Sequence, residues 1–111
     1  MIADCVPGTD DYIIRYWGVD RVSAFGVELT GKRISDCRPD GVMGSFRETA
    51  SEVVKCRSPM LVSHRIVPPS GIERAYPTLR LPLSDAGVNV TKIMALINFE
   101  LSLRSLGIVR N

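Results

Sequence analysis

Along this chain the spacing of hydrophobic positions changes several times, and each change marks an element. Met1 to Val6 is a short apolar run, and Pro7-Gly8-Thr9-Asp10 has the residues of a turn. Asp11 to Trp17 follows, rich in the Tyr, Ile and Trp that suit a pleated, half-buried surface. Two such runs joined by a Pro-Gly turn predict a β-hairpin. The spacing then lengthens. Asp20 stands where an N-cap would accept bonds from a first turn, Val22 and Phe25 share a helix face, and Gly26 offers the left-handed conformation that ends a helix. Leu29 and Ile34 bracket Thr30-Gly31-Lys32, a further turn or brief helix. Helices this short do not stand alone, because nucleation is unfavourable, so they must lie on a sheet.

Ser45 to Cys56 reads as the one substantial helix. Ser45 and Glu48 have capping-box spacing, while Phe46, Ala50, Val53 and Val54 follow the helical period. Lys55 and Arg57 suit the negative end of the dipole, and Pro59 prevents continuation. Three strands are then expected: Met60 to Val67, Ile72 to Leu83 after a Pro68-Pro69-Ser70-Gly71 turn, and Val88 to Phe99 after Ser84-Asp85-Ala86-Gly87. In the second, Ala75, Leu79, Leu81 and Leu83 share one face, and Arg74, Tyr76, Thr78 and Arg80 the other. The leucine face is the expected seat of Phe46, Val53 and Val54. Pro77 and Pro82 cannot donate to a ladder, which predicts bulges or frayed pairing there. In the third, Ile93, Ala95, Ile97 and Phe99 face one way, and Met94 and Leu96 the other. Apolar character on both faces predicts a central strand. Leu101 to Leu106 reads as a short terminal helix. Strand, strand, short helices, longer helix and three strands together predict an α+β domain with its helices gathered on one face of a sheet.

Composition narrows the class. The 111 residues suit one domain, and 45% hydrophobic with 23% charged residues is ordinary globular usage. A net charge of +2 is too small for a nucleic-acid footprint. The longest apolar run, Ile93 to Ile97, is too short to cross a membrane. Cys5, Cys37 and Cys56 are odd in number, widely spaced and without a CxxC pair, which predicts no zinc site and a reducing, cytoplasmic setting. A strand starting directly after Met1 suggests a piece of a longer chain, joined to an output domain.

Two stretches carry a resemblance. The segment "YWGVDRVSAFGVELTGKRISDC", with Gly18, Gly26, Leu29, Thr30 and Gly31, is similar to the entry of PAS domains, where a strand end is followed by small helices. "LPLSDAG", with Leu81, Pro82, Leu83, Ser84 and Gly87, resembles the PAS turn before the last strand. The wording is closest to bacterial PAS-like domains having a G-x-x-L-T-G stretch and a late LPLS-x-x-G. The resemblance implies a five-stranded antiparallel sheet with short helices and one longer helix on one face. It also implies a non-catalytic sensory, signalling or protein-interaction role, and a pocket between helices and sheet for a small apolar or aromatic ligand. Val22, Phe25, Ile34, Phe46, Val53, Leu79 and Leu81 are its candidate lining. The alternative is a ligand-free homodimerisation module using the far sheet face, with Met94 and Leu96 as candidate contacts. A small α+β pocket enzyme is a third reading, disfavoured because no acid-base pair is evident.

Cofactor chemistry is disfavoured on the same comparison. His64 is the sole histidine, and haem-binding PAS domains ligate from the helix before its strand. Flavin-adduct relatives carry cysteine in an Asn-Cys-Arg-Phe context, unlike "SDCRPD" around Cys37 or "VKCRSP" around Cys56. Tyr12, Tyr16 and Trp17 could form a stacking platform, though aromatic residues favour strands for packing alone. Asp10-Asp11 reads as solvated turn chemistry.

Overall fold

The computed structural model describes residues 1–37, 43, 46–66 and 74–97. The expected capping serine Ser45, the Pro68-Gly71 turn, Phe99 and the Leu101–Leu106 helix lie outside them. Two α-helices and a 3₁₀ turn are inserted between the strands of an antiparallel, five-stranded sheet. Strand β1 (Ile2–Cys5) forms a hairpin with β2 (Tyr12–Tyr16), with a register shift between Ile2 and Ala3. Helix α1 (Val19–Phe25), the 3₁₀ turn Ile34–Asp36 and helix α2 (Phe46–Cys56) follow. Strands β3 (Met60–Ile66), β4 (Arg74–Leu83) and β5 (Lys92–Ile97) complete the order β2-β1-β5-β4-β3. The last strand therefore enters beside the first and is central, as its apolar sequence predicts.

Local chemistry explains most boundaries. Gly26 ends α1 in the left-handed region, at φ 73°, and its amide donates to Val22 O at 2.8 Å. The N-cap of α1 is Gly18 rather than Asp20, which sits in the first turn and makes no capping bond. Helix α2 ends without a glycine: Arg57 takes a left-handed φ of 52° and its amide donates to Val53 O. Strand β5 starts later than the expected Val88, because bends continue to Asn89 and pairing begins only at Lys92 opposite Leu83.

The two prolines of β4 produce no bulge; both ladders keep a continuous register. The reason lies in the alternation of hydrogen-bonding direction along an antiparallel strand. Leu83 O accepts from Thr91 N, so odd-numbered residues of β4 point their amides toward β5 and even-numbered ones toward β3. Pro77 therefore faces β5 just past the last described pair, Thr78–Ile97. Pro82 faces β3 beyond its first pair, Met60–Arg80. The missing N–H of Pro82 falls outside the pairing with β3, and that of Pro77 faces a position beyond the described residues.

The core lies between the helices and one face of the sheet. It joins Ala3, Tyr12, Ile14, Trp17, Phe25, Ile34, Met43, Phe46, Ala50, Val53, Ile93 and Ala95, all buried. The helical face of β4 is the one carrying Thr78 and Arg80, not the one carrying Leu79, Leu81 and Leu83. Register decides this. Arg80 pairs with Ala95 and Pro82 with Ile93, and Ala95 and Ile93 belong to the core. A shift of one residue would be needed to turn the leucines inward.

Candidate functional site

The helix–sheet layer contains two buried arginines. Arg80 is 1% exposed; its stem leaves β4 opposite the small Ala95, and its guanidinium ends under the first turn of α2. There Nη1 donates to Phe46 O at 3.1 Å, and the guanidinium carbon stands 4.4 Å from the Phe46 ring centroid. Nη2 lies 3.2 Å from His64 Nδ1. Arginine has no acceptor, so Nδ1 supplies the lone pair in that contact. His64 is itself buried, facing the helices from β3. Nε of Arg80 is buried without a hydrogen-bond partner. Burial, and then the charge of Arg21, lower the Arg80 pKa to about 10.

Arg21 is the second. It follows from α1 at helical spacing to Phe25 and is 6% exposed. Its guanidinium stands 5.4 Å from the Trp17 ring centroid, and Nη2 donates to Ala95 O at 3.0 Å. Burial lowers its pKa to about 10 as well. Among the described residues neither arginine has a carboxylate partner.

The buried carboxylate is elsewhere. Asp11, 7% exposed, is not a solvated turn residue but a latch. Oδ1 accepts from the amides of Tyr12 and Ser35 at 2.9 and 3.0 Å, Oδ2 accepts from Ser35 Oγ at 2.6 Å, and Arg33 lies 3.6 Å away. Burial alone would raise its pKa. The bonds from Ser35 and Tyr12 and the charge of Arg47 outweigh it and hold the carboxyl below its ordinary value. Asp10 is the exposed member of the pair and meets Arg47 at 2.7 Å. The thiols are pushed the other way: burial and then nearby carboxylates raise Cys5 and Cys37, opposite to an activated nucleophile.

The candidate pocket lining divides. Phe25, Ile34, Phe46 and Val53 share the buried core, with Val22 packed against it. Leu79 and Leu81 are on the opposite face and do not join them. The aromatic residues of the hairpin do not form a platform either. Tyr12 packs edge-on to Phe46 at 5.6 Å, and Trp17 is buried with Nε1 donating to Val27 O, while Tyr16 remains 59% exposed.

Two surface grooves are lined entirely by described residues. One, of about 330 Å³, opens where β2 passes into α1 and is lined by Tyr16, Trp17, Gly18, Val19, Arg21 and the end of β5. The other, of about 470 Å³, lies between Asp4, Cys5, Pro7 and the loop at Asn89–Lys92. The described residues hold no cluster of three metal-ligating side chains. None of their helices is long and apolar enough to cross a membrane.

The far sheet face is the third feature. Ile2, Leu79, Leu81, Leu83 and Met94 are half-buried there, with Leu96 49% and Leu61 71% exposed. Among the charged side chains described there, Arg15 pairs with Asp4 and Lys92 with Asp85. Met94 and Leu96 thus stand where the sequence alternation puts them, opposite the helices. Compared with protein-family models, curated proteins and solved structures, the chain gives no match.

Sequence reasoning missed Arg21 and Arg80 because it ranks apolar positions as interior. Signals for both exist. Arg21 stands four residues before Phe25, and Arg80 alternates with the leucines in a strand that needs an inward face.

Proposed function

We propose that this is a non-catalytic PAS-like signalling and interaction domain whose leucine-bearing sheet face pairs with a second copy of itself. The observation that carries the reading is the segregation of the fold. Among the described residues the helices lie on one face, and the other presents a contiguous set from Leu61 through Leu79, Leu81 and Met94 to Ile2. Contiguous apolar areas of this kind mark interaction sites. Arg15–Asp4 and Lys92–Asp85 set opposite charges side by side on this face, and that suits the self-complementary contact of a two-fold dimer. The element order and the Gly26-x-x-Leu29-Thr30-Gly31 and LPLS-x-x-G stretches support the PAS-like assignment by resemblance. A filled helix–sheet layer favours interaction over capture of an apolar ligand there. Signalling would proceed by population shift: whatever prefers one packing of the helices biases the sheet contact by its differential affinity.

Sedimentation equilibrium at micromolar concentration tests this. A species of twice 12.2 kDa is expected. Leu81→Asp, which puts a charge at the middle of the face, should convert it to monomer without changing the far-UV circular dichroism. A monomer in the unaltered chain overturns the reading.

A further inference from the structure

The groove at the β2–α1 junction has properties that the sheet-face reading does not use. Its elbow is Gly18, at φ 105° and ψ 145°, a conformation essentially restricted to glycine. No side chain therefore stands over the groove at that point. Arg21 lines it, and among its contacts with described residues Nη2 makes one hydrogen bond, to Ala95 O. An arginine has five N–H donors. The remaining Arg21 donors make no hydrogen bond to the described residues, and Arg21 is itself one of the groove's lining residues. Here a buried cation keeps unused donors facing an opening. Asp20, on the rim, is exposed and makes no ion pair with it. Solvent screens the Asp20 charge, whereas the Arg21 charge, packed on Trp17, is screened far less. The lining also includes Met1, whose amino group donates to the same Ala95 O at 3.1 Å; beyond it stand Tyr16 at 59% exposure, Val19 at 78%, and the end of β5.

We infer that this groove binds a small organic carboxylate, its carboxyl group held by the free donors of Arg21 and its apolar body lying along Tyr16 and Val19. The guanidinium fork matches a carboxylate in two parallel bonds, and a partner would complete a charge that the described residues leave unpaired. The volume of about 330 Å³ admits a small molecule of this kind. Leu96 closes one side of the groove and also belongs to the far sheet face, so the site and that face share an edge of β5.

Phenylacetate and its neutral isostere phenylacetamide are suitable probes, titrated into the intact chain. Trp17 is the only tryptophan, so its fluorescence and its indole N–H resonance report on the groove directly. Saturable binding of phenylacetate with a Kd of about 1 mM or tighter is expected. The amide should bind at least about tenfold more weakly, the loss that about 1.4 kcal/mol of charge-assisted bonding represents. Arg21→Gln should abolish the preference for the acid. Because Arg21 is also packed in the core, Val19→Glu is the second variant: it changes an exposed rim residue, places a carboxylate in the opening, and should weaken phenylacetate binding while leaving the thermal midpoint in place. Equal responses to acid and amide, no saturation, or unchanged binding in Val19→Glu would each overturn the assignment, and none of them bears on the sheet-face dimer.

Discussion

The seating of α2 on Arg80 can be tested by a double-mutant cycle between Phe46 and Arg80. Phe46→Leu keeps most of the buried bulk but removes the ring, which is 1% exposed, edge-on to Tyr12 and 4.4 Å from the guanidinium carbon. The Tyr12 pair is worth about 0.5–1.5 kcal/mol and a desolvated cation–π contact about 2 kcal/mol, so the variant should lose about 2–4 kcal/mol. Arg80→Met keeps the stem and removes the charge. It forfeits the bonds to Phe46 O and His64 Nδ1, yet it also relieves the burial that brings the Arg80 pKa down from 12.5 to about 10. That depression corresponds to about 3 kcal/mol of disfavoured charge. Gain and loss nearly cancel, and Arg80→Met should fall within about 1 kcal/mol of the unaltered protein, as replacement of buried ions by apolar isosteres often does. In the Arg80→Met background, Phe46→Leu should then cost about 1–2 kcal/mol less than alone. Urea unfolding followed by Trp17 fluorescence measures this, since with a slope of about 1–3 kcal/mol per molar the coupling shifts the midpoint by a resolvable amount. Additivity within about 0.5 kcal/mol would mean that ring and guanidinium do not interact and that α2 rests elsewhere on the sheet.

Asp11→Asn should cost about 1–2 kcal/mol at pH 7, because a carboxylate accepting from Tyr12 and Ser35 is replaced by a neutral amide. The folded carboxyl titrates below its ordinary 3.8, so its stabilisation is complete above that pH and lost as pH falls through the folded value. The gap between the two proteins should accordingly close in acid unfolding below about pH 4, and a gap independent of pH would refute the latch. Arg57→Gly should stabilise by about 0.5–1 kcal/mol, the left-handed penalty relieved at the end of α2 less the added unfolded-state entropy. An unchanged or lower thermal midpoint would contradict the strain assigned to Arg57.

The sequence pattern located the hairpin, both helices and all three later strands, because turn residues and spacing act locally. Gly26 specified the end of α1 by its own conformational freedom, and the alternation in β5 separated Ile93 and Ala95 from Met94 and Leu96. Features that depend on partners were less legible. Whether Pro77 and Pro82 interrupt a ladder depends on where β5 and β3 stop, and no residue near either proline records that. Asp11 looks like half of a solvated Asp-Asp turn until the 3₁₀ turn brings Ser35 against it.

The misassigned face of β4 has the largest consequence for function. An alternating strand declares two faces but not which of them meets the helices, and the leucines were the natural choice for the interior. The fold makes the opposite choice at Arg80, whose length lets it span from the sheet to Phe46 while Ala95 leaves room beside it. Among the described residues the layer between helices and sheet therefore holds a cation, a histidine and closely packed rings, and an apolar ligand entering there would have to displace those contacts. The leucines, freed from the interior, are left to face outward in the middle of the sheet. The same exchange of faces puts the leucines on the surface through which we propose that the domain meets its copy.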